Sequence, residues 1–298
     1  MGRSRSARIE GLTIVNGSAS GGEGGGIYCD GASPTIVECR ILNCGNARYG
    51  GGMNLTMFGG IVDRCVIAGN HAEENGGGII ARFTSGVHIS NSIISGNTAN
   101  IGGGGIELAE GPNHTIVSCT IVANEARSAG GGLATTGRAR LDKCIIWSNC
   151  ADEGGDIYGF VSRITLTCCD VDSSRMGGYY PTYIYDDRCV FADPLFCDPV
   201  ACGQTTEGDW RLDGSSPCTP EHSPCGDQIG ALGQACGPSF PVGACCLAVG
   251  VCREFTEEQC ARSGGVYAGD GVSCEPDPCQ VNAVELSSWG RIKRIYGN

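Results

Sequence analysis

An all-β chain wound into stacked parallel coils is the fold class that this sequence predicts, and three observations predict it. Glycine makes up 50 of 298 residues, more than double the average share of about 7%. The glycine runs ending at Gly26, Gly52, Gly78, Gly105 and Gly132 are spaced 26, 26, 27 and 27 residues apart, with a shorter run, Gly154-Gly155, beyond them. A second register repeats at the same interval, carrying Cys39, Cys65, Ser92, Cys119 and Cys144, and five residues after each comes Cys44, Asn70, Asn97, Asn124 or Asn149.

Each element of that prediction has a physical reason. Short β-branched runs separated by Gly- and Asn-rich corners read as strands joined by turns. A strand of three to five residues cannot bury its apolar face alone, but stacked on a like neighbour it gains ladder hydrogen bonds and a continuous core. The expected architecture is a right-handed parallel β-helix of about six to seven coils over residues 1–175. Cys44, Asn70, Asn97, Asn124 and Asn149 are expected to form one internal ladder, the asparagines satisfying backbone groups at a sharp corner. Cys39, Cys65, Ser92, Cys119 and Cys144 are expected to form a second column, either as buried thiols or bridged between adjacent rungs. A leucine-rich repeat has a neighbouring period, but its leucine positions are missing and triple glycine would break its helix. Collagen would need glycine at every third residue, a period this chain lacks.

Composition narrows the function classes. Twenty-one cysteines without a C-x-x-C pair favour disulfides in an oxidising compartment over zinc or thioredoxin-like chemistry. A net charge of −12 argues against nucleic acid or an anionic membrane as partner. No run of 18 apolar residues offers a membrane span. The N-terminus has basic residues but no apolar stretch of a signal peptide, so the expectation is an N-terminally truncated sequence of an extracellular or cell-surface protein.

Beyond the repeat, residues 176–237 lose the period and gain Pro, Asp and cysteines 189, 197, 202, 218, 225 and 236. They are expected to cap the helix, with Cys189, Cys197, Cys202, Cys218, Cys225 and Cys236 as disulfide candidates. Residues 241–279 hold six more, Cys245, Cys246, Cys252, Cys260, Cys274 and Cys279, in a segment too short to fold without bridges. Within it, Thr256 to Gln259 reads as a capped short helix and Gly264-Gly265 and Gly269-Asp270-Gly271 as turns. The tail, 280–298, reads as an amphipathic sorting signal or a frayed terminus.

Several of these motifs match known proteins. The Gly-Gly-apolar runs alternating with Ile67 to Asn70, Ile94 to Asn97, Ile121 to Asn124 and Ile146 to Asn149 resemble the repeats of polymorphic outer-membrane proteins. They are also similar to the pectin-lyase-like right-handed β-helix proteins secreted by bacteria. The first rung departs from the pattern by carrying Cys44, whose corner is expected to be pinned covalently. Phe191 to Phe196, Gly208 to Leu212, Ser216 to Cys218 and Ile229 to Leu232 resemble the terminal segment that closes such helices in surface-anchored bacterial proteins, and the six-cysteine stretch resembles small modules attached to secreted ones.

The resemblance implies an active-site pattern to look for: a basic residue with an acidic calcium site in the lyases, or clustered carboxylates in the hydrolases. Asp63 and Asp142 share a repeat position but lie three coils apart, about 14 Å by ladder spacing, too far for a catalytic pair. The alternative catalytic candidates are Arg82, Glu107, Glu110 and His114, with Arg138 on the same stretch of the repeat. Before the glycine corners, Glu23, Glu73, Glu74, Asp152 and Glu153 offer an acidic edge with calcium as the one cofactor to consider. The sequons at Asn16, Asn54 and Asn113 are read as incidental. The expectation is a monomeric, non-catalytic adhesive or structural protein contacting extracellular glycans or cell-surface components. A polysaccharide lyase or glycoside hydrolase is the alternative.

Overall fold

The computed structural model describes residues 7–57, 59–83, 86–204 and 208–236, and in the C-terminal part 243–247, 251–255, 260–261, 265–270 and 272–274. Residues up to 236 form one compact unit and those from 237 onward another. In the first unit, parallel strands stack coil upon coil into sheets of eight, seven, seven and four strands. The fold is an all-β parallel β-helix.

Sheet 1 runs from Arg8–Glu10 to Thr182–Tyr185, sheet 2 from Thr13–Val15 to Asp170–Val171, and sheet 3 from Ile27–Ala32 to Met176–Tyr179. The four-stranded sheet, Ala47–Tyr49 to Glu125–Ala126, lies between sheets 2 and 3 in chain order. Strand alternation sends every second side chain inward, and registration makes the inward ones columns. Ile36, Val62, Ile89, Ile116, Leu141 and Leu166 form the column of sheet 1. Ile41, Ile67, Ile94, Ile121, Ile146 and Val171 form that of sheet 2. All twelve belong to one buried cluster.

Two corners turn on the left-handed backbone conformation. Between sheets 1 and 2, Glu38, Arg64, Asn91, Ser118, Lys143 and Cys168 have φ between +48° and +54°. The next residue in each coil, Cys39, Cys65, Ser92, Cys119, Cys144 or Cys169, points inward and is buried. Asn43, Gly69, Gly96, Ala123 and Ser148 repeat the device after sheet 2, each placing Cys44 or an asparagine inside.

Those asparagines bond to one another. Asn97 Nδ2 donates to Asn124 Oδ1 (2.9 Å) and to the Ile67 carbonyl (2.9 Å), while its Oδ1 accepts from the backbone N–H and Nδ2 of Asn70. The same pattern runs from Asn124 to Asn149. At the near end, Asn70 Oδ1 accepts from the Cys44 N–H at 2.9 Å. At the far end the partner is Asp156, which occupies the third position of the last glycine run. The third glycines elsewhere leave room for the column: a Cβ on Gly105 would sit 2.9 Å from Asn124 Nδ2.

The thiols of the first corner are not bridged. Cys39, Cys65, Cys119, Cys144 and Cys169 are free and buried, their Sγ atoms directed at backbone carbonyls such as Val117 O and Ile116 O. Cys44 is free as well, so its corner is not pinned covalently. It accepts from the Gly17 N–H and donates to the Leu42 carbonyl instead.

The stretch after the repeat does two things. Strands Met176–Tyr179 and Thr182–Tyr185 still stack in parallel, and Tyr183, Met176 and Cys189 pack against the end of the core. Residues 191–204 and 208–236 then run back along the outer face of sheet 2. Gly203 N–H donates to Ala123 O and Gly230 N–H to Lys143 O, while Trp210, Val200 and Leu232 pack on Ile93, Val122 and Trp147. Disulfides Cys150–Cys202, Cys168–Cys225 and Cys197–Cys236 hold this flap. Cys189 and Cys218, expected among the bridged cysteines, are free; Cys150 and Cys168 of the coils take part in their stead. Cys218 Sγ instead donates to Asp170 Oδ2 at 3.0 Å inside the core beneath the flap.

The second unit contains a three-stranded antiparallel sheet, Gly243–Leu247 between Val251–Phe255 and Val266–Asp270. Cys245–Cys260 and Cys252–Cys274 are disulfides, and Cys246 is disulfide-bonded too. Gly269 and Asp270, read from sequence as a turn, lie in the last strand. The capped helix at 256–259, Cys279 and the tail 280–298 lie outside the described residues.

Candidate functional site

With the core fixed, function falls to outward side chains. On sheet 3, Ile79 and Ala81 point inward, so Ile80 and Arg82 face out, and one coil on so does Glu107. The four-stranded sheet shields this face, and Ile80, Asn54 and Glu107 are buried although they point away from the core. Arg82 Nη2 meets Glu23 Oε1 at 3.1 Å, and its guanidinium stacks 3.9 Å above the Tyr49 ring. Glu23 Oε2 also accepts from Asn54 Nδ2 at 2.9 Å.

Burial pushes the Glu107 carboxyl up to about 7, against the pull of an Asn75 hydrogen bond and the Arg82 charge. Its Oε2 has no partner, nor has Arg82 Nε. Arg82 therefore bears on Glu107 through its charge. Glu110 and His114 do not join them. The chain turns at Glu110 (φ +54°) and enters sheet 1, where His114 is on the same inward face as Ile116. His114 Nδ1 accepts from the Val87 N–H at 3.4 Å, and burial lowers its pKa to about 4, so the ring is neutral at pH 7. Glu110 is exposed, its N–H on Thr136 Oγ1. The four candidates do not line one groove, because a corner separates the two sheets that carry them.

The acidic edge is also divided. Glu74 pairs with Arg48 at 2.7 Å, while Glu73, Asp152 and Glu153 are exposed. The register Asn75, Gly102, Ala129, Glu153 puts the two acidic pairs three coils apart, about 14 Å, too far to share an ion bound at about 2.3–2.6 Å. Among the described residues no group of three or more His, Cys, Asp or Glu is placed to hold a metal. Asp63 is engaged locally, accepting from Ser90 Oγ and Asn91 Nδ2.

The corner from sheet 3 to sheet 1 carries a feature that residue spacing alone did not single out. Met57, Phe83, Val161 and Tyr180 all take positive φ there and all stand exposed, Tyr180 at 75% and Val161 at 63%. Such a conformation in a β-branched or bulky residue costs about 1–3 kcal/mol, and here it holds apolar side chains in water. Next to Tyr180, exposed Tyr179 meets it edge-on at 4.4 Å and stacks on Phe160 at 5.5 Å. The signal in the sequence was an aromatic at one register position on two successive coils, Phe160 and Tyr179, with Tyr180 next to the second.

Stacked parallel coils, an internal asparagine ladder and an aromatic ridge on one corner define a solenoid protein whose outward faces are free to vary while the core repeats. Residues 3–171 match the family described as a right handed beta helix region, and the chain belongs to that family. No curated protein and no solved structure matches it. Among the described residues no helix is long and apolar enough to cross a membrane.

Proposed function

We propose that this protein is a non-catalytic, extracellular or cell-surface β-helix with an adhesive or structural role, and that its aromatic corner contacts glycans. The observation that carries the reading is the trio Phe160, Tyr179 and Tyr180, exposed on a coil edge with Tyr179 stacked on Phe160 and edge-on to Tyr180. Rings held in water offer apolar faces with polar tyrosine tips, suited to a ligand with apolar faces and hydroxyl edges. The disulfides of both units support an oxidising compartment. Affinity electrophoresis against a polysaccharide panel tests the reading. Retardation by at least one glycan, weakened several-fold in a Tyr179→Ala/Tyr180→Ala variant, is expected; retardation by none overturns it.

Cleavage of a polysaccharide, as a lyase or glycoside hydrolase of the pectin-lyase-like kind, is the second reading. Glu107 favours it, since a carboxyl held near 7 with a free oxygen suits proton transfer. Release of reducing or unsaturated ends from the same panel would replace the first reading with this one.

A further inference from the structure

Beside the aromatic trio, on the outer face of sheet 1, an open cleft of about 460 Å³ is lined by Arg138, Arg163, Ser162, Tyr180 and Thr182, among others. Arg138 and Arg163 are register partners on adjacent coils, which sets their backbones about 4.8 Å apart. Both side chains are exposed on the same face, and Arg140, two residues on, adds a third guanidinium to it. Like charges directly opposite one another destabilise a sheet. Among the described residues none of the three has an ion-pair or hydrogen-bond partner, although the chain carries 32 acidic residues against 20 basic ones. The first acidic residue further along that face, Asp142, is four positions from Arg138, about 13 Å of strand. Glu110, just ahead of the cleft's Gly111, makes no ion pair with either arginine.

Ser162 is 5% exposed, and its Oγ makes no hydrogen bond. Buried hydroxyls are normally satisfied; this one turns to the core side, against the place a Gly159 Cβ would take beside Ile164 Cδ1, and leaves the cleft to the two guanidiniums and Tyr180.

We propose that this cleft binds a sulfate ester on an acidic glycan, with Arg138 and Arg163 gripping the sulfate and Tyr180 flanking the sugar. The proposal rests on the glycan-contacting reading above and names its ligand class. A guanidinium is a planar fork that matches two oxygens. One fork therefore satisfies a carboxylate, whereas two forks one coil apart suit a group with three terminal oxygens. A nucleic-acid strand fits less well. Its charges recur about every 3.4 Å and would run from this patch onto a protein of net charge −12.

Isothermal titration with dextran sulfate, dextran, polygalacturonate and single-stranded DNA separates the outcomes. The full-length protein is expected to bind dextran sulfate at least tenfold more tightly than the other three. Binding should weaken in 0.5 M salt, and an Arg138→Gln/Arg163→Gln variant with unchanged circular dichroism should lose the preference. Equal affinity for polygalacturonate or for DNA overturns the proposal, as does an unaffected variant. Binding of plain dextran as tight as that of its sulfate overturns it too but leaves the glycan reading standing. Binding to no glycan removes both.

Discussion

Asp156 Oδ1 accepts from both the backbone N–H of Asn149 (2.9 Å) and its side-chain amide (2.8 Å), so a fully buried carboxyl ends the asparagine column. Its Oδ2 has no hydrogen-bond partner and lies 3.9 Å from Arg175 Nε, while the same guanidinium bonds the Asn149 carbonyl. This end of the ladder is thus a carboxyl rung.

Burial raises the Asp156 carboxyl to about 7, with the Asn149 bonds and Arg175 opposing. A folded pKa above the unfolded one means that stability is fully present below about pH 4 and is lost as pH rises through about 7. Glu107 acts in the same direction, and His114, pushed down to about 4, acts in the opposite one. The informative quantity is therefore a difference between proteins. Asp156→Asn keeps the acceptor and removes the charge, so relative to the wild type its stability should gain on the order of 1–3 kcal/mol between pH 5 and pH 8. Denaturant melts of the two at each pH check this; parallel profiles would sink it.

The Asn97 side chain makes four ladder bonds, two donated and two accepted. Asn97→Ala leaves the Asn70 N–H and side-chain amide without their acceptor and takes a donor from the Ile67 carbonyl, at a cost of about 3 kcal/mol. Thermal unfolding should show a loss larger than that of alanine at exposed Asn46, whose amide bonds only Ser18.

Gly105→Ala should destabilise strongly, since the new Cβ would meet Gly132 O at 2.7 Å and Asn124 Nδ2 at 2.9 Å. Gly233→Ala should be nearly silent, its closest neighbour being Gln228 Oε1 at 3.8 Å. A comparable loss of melting temperature in both would show that the ladder does not limit that corner.

Reduction should free the flap and leave the coils folded. Trp210, 5% exposed on the inner side of the flap, packs on Val122 and Ala123. Its fluorescence is expected to shift to the red with dithiothreitol while the far-ultraviolet circular dichroism of the sheets persists. Loss of both signals together would make the three bridges a condition of the coil fold.

The repeat was legible because registration is a local property. A side chain at one position meets its counterpart one coil on, so the Ile36 and Ile41 columns appear in the sequence as an interval. The flap was legible only as a Cys-rich change of composition. A clue to its position lay in Ile121-Val122 and Ile145-Ile146-Trp147, apolar runs that suit strands buried on both faces. The ridge and the arginine cleft were harder to read, since Arg138 and Arg163 look like ordinary surface charges until their register is known.

By itself the sequence determined the coil interval, the inward alternation and the corner residues, because each depends on neighbours a fixed step away. Only the tertiary structure decided that Cys150 reaches Cys202 while Cys189 stays free, and that Glu107 and His114 part company. It also decided that two arginines stand over one another without a carboxylate. Those outcomes depend on where non-repeating segments settle against the coils, and a bridge forms only where Cα atoms come within about 4.4–6.8 Å. No interval along the chain encodes that approach.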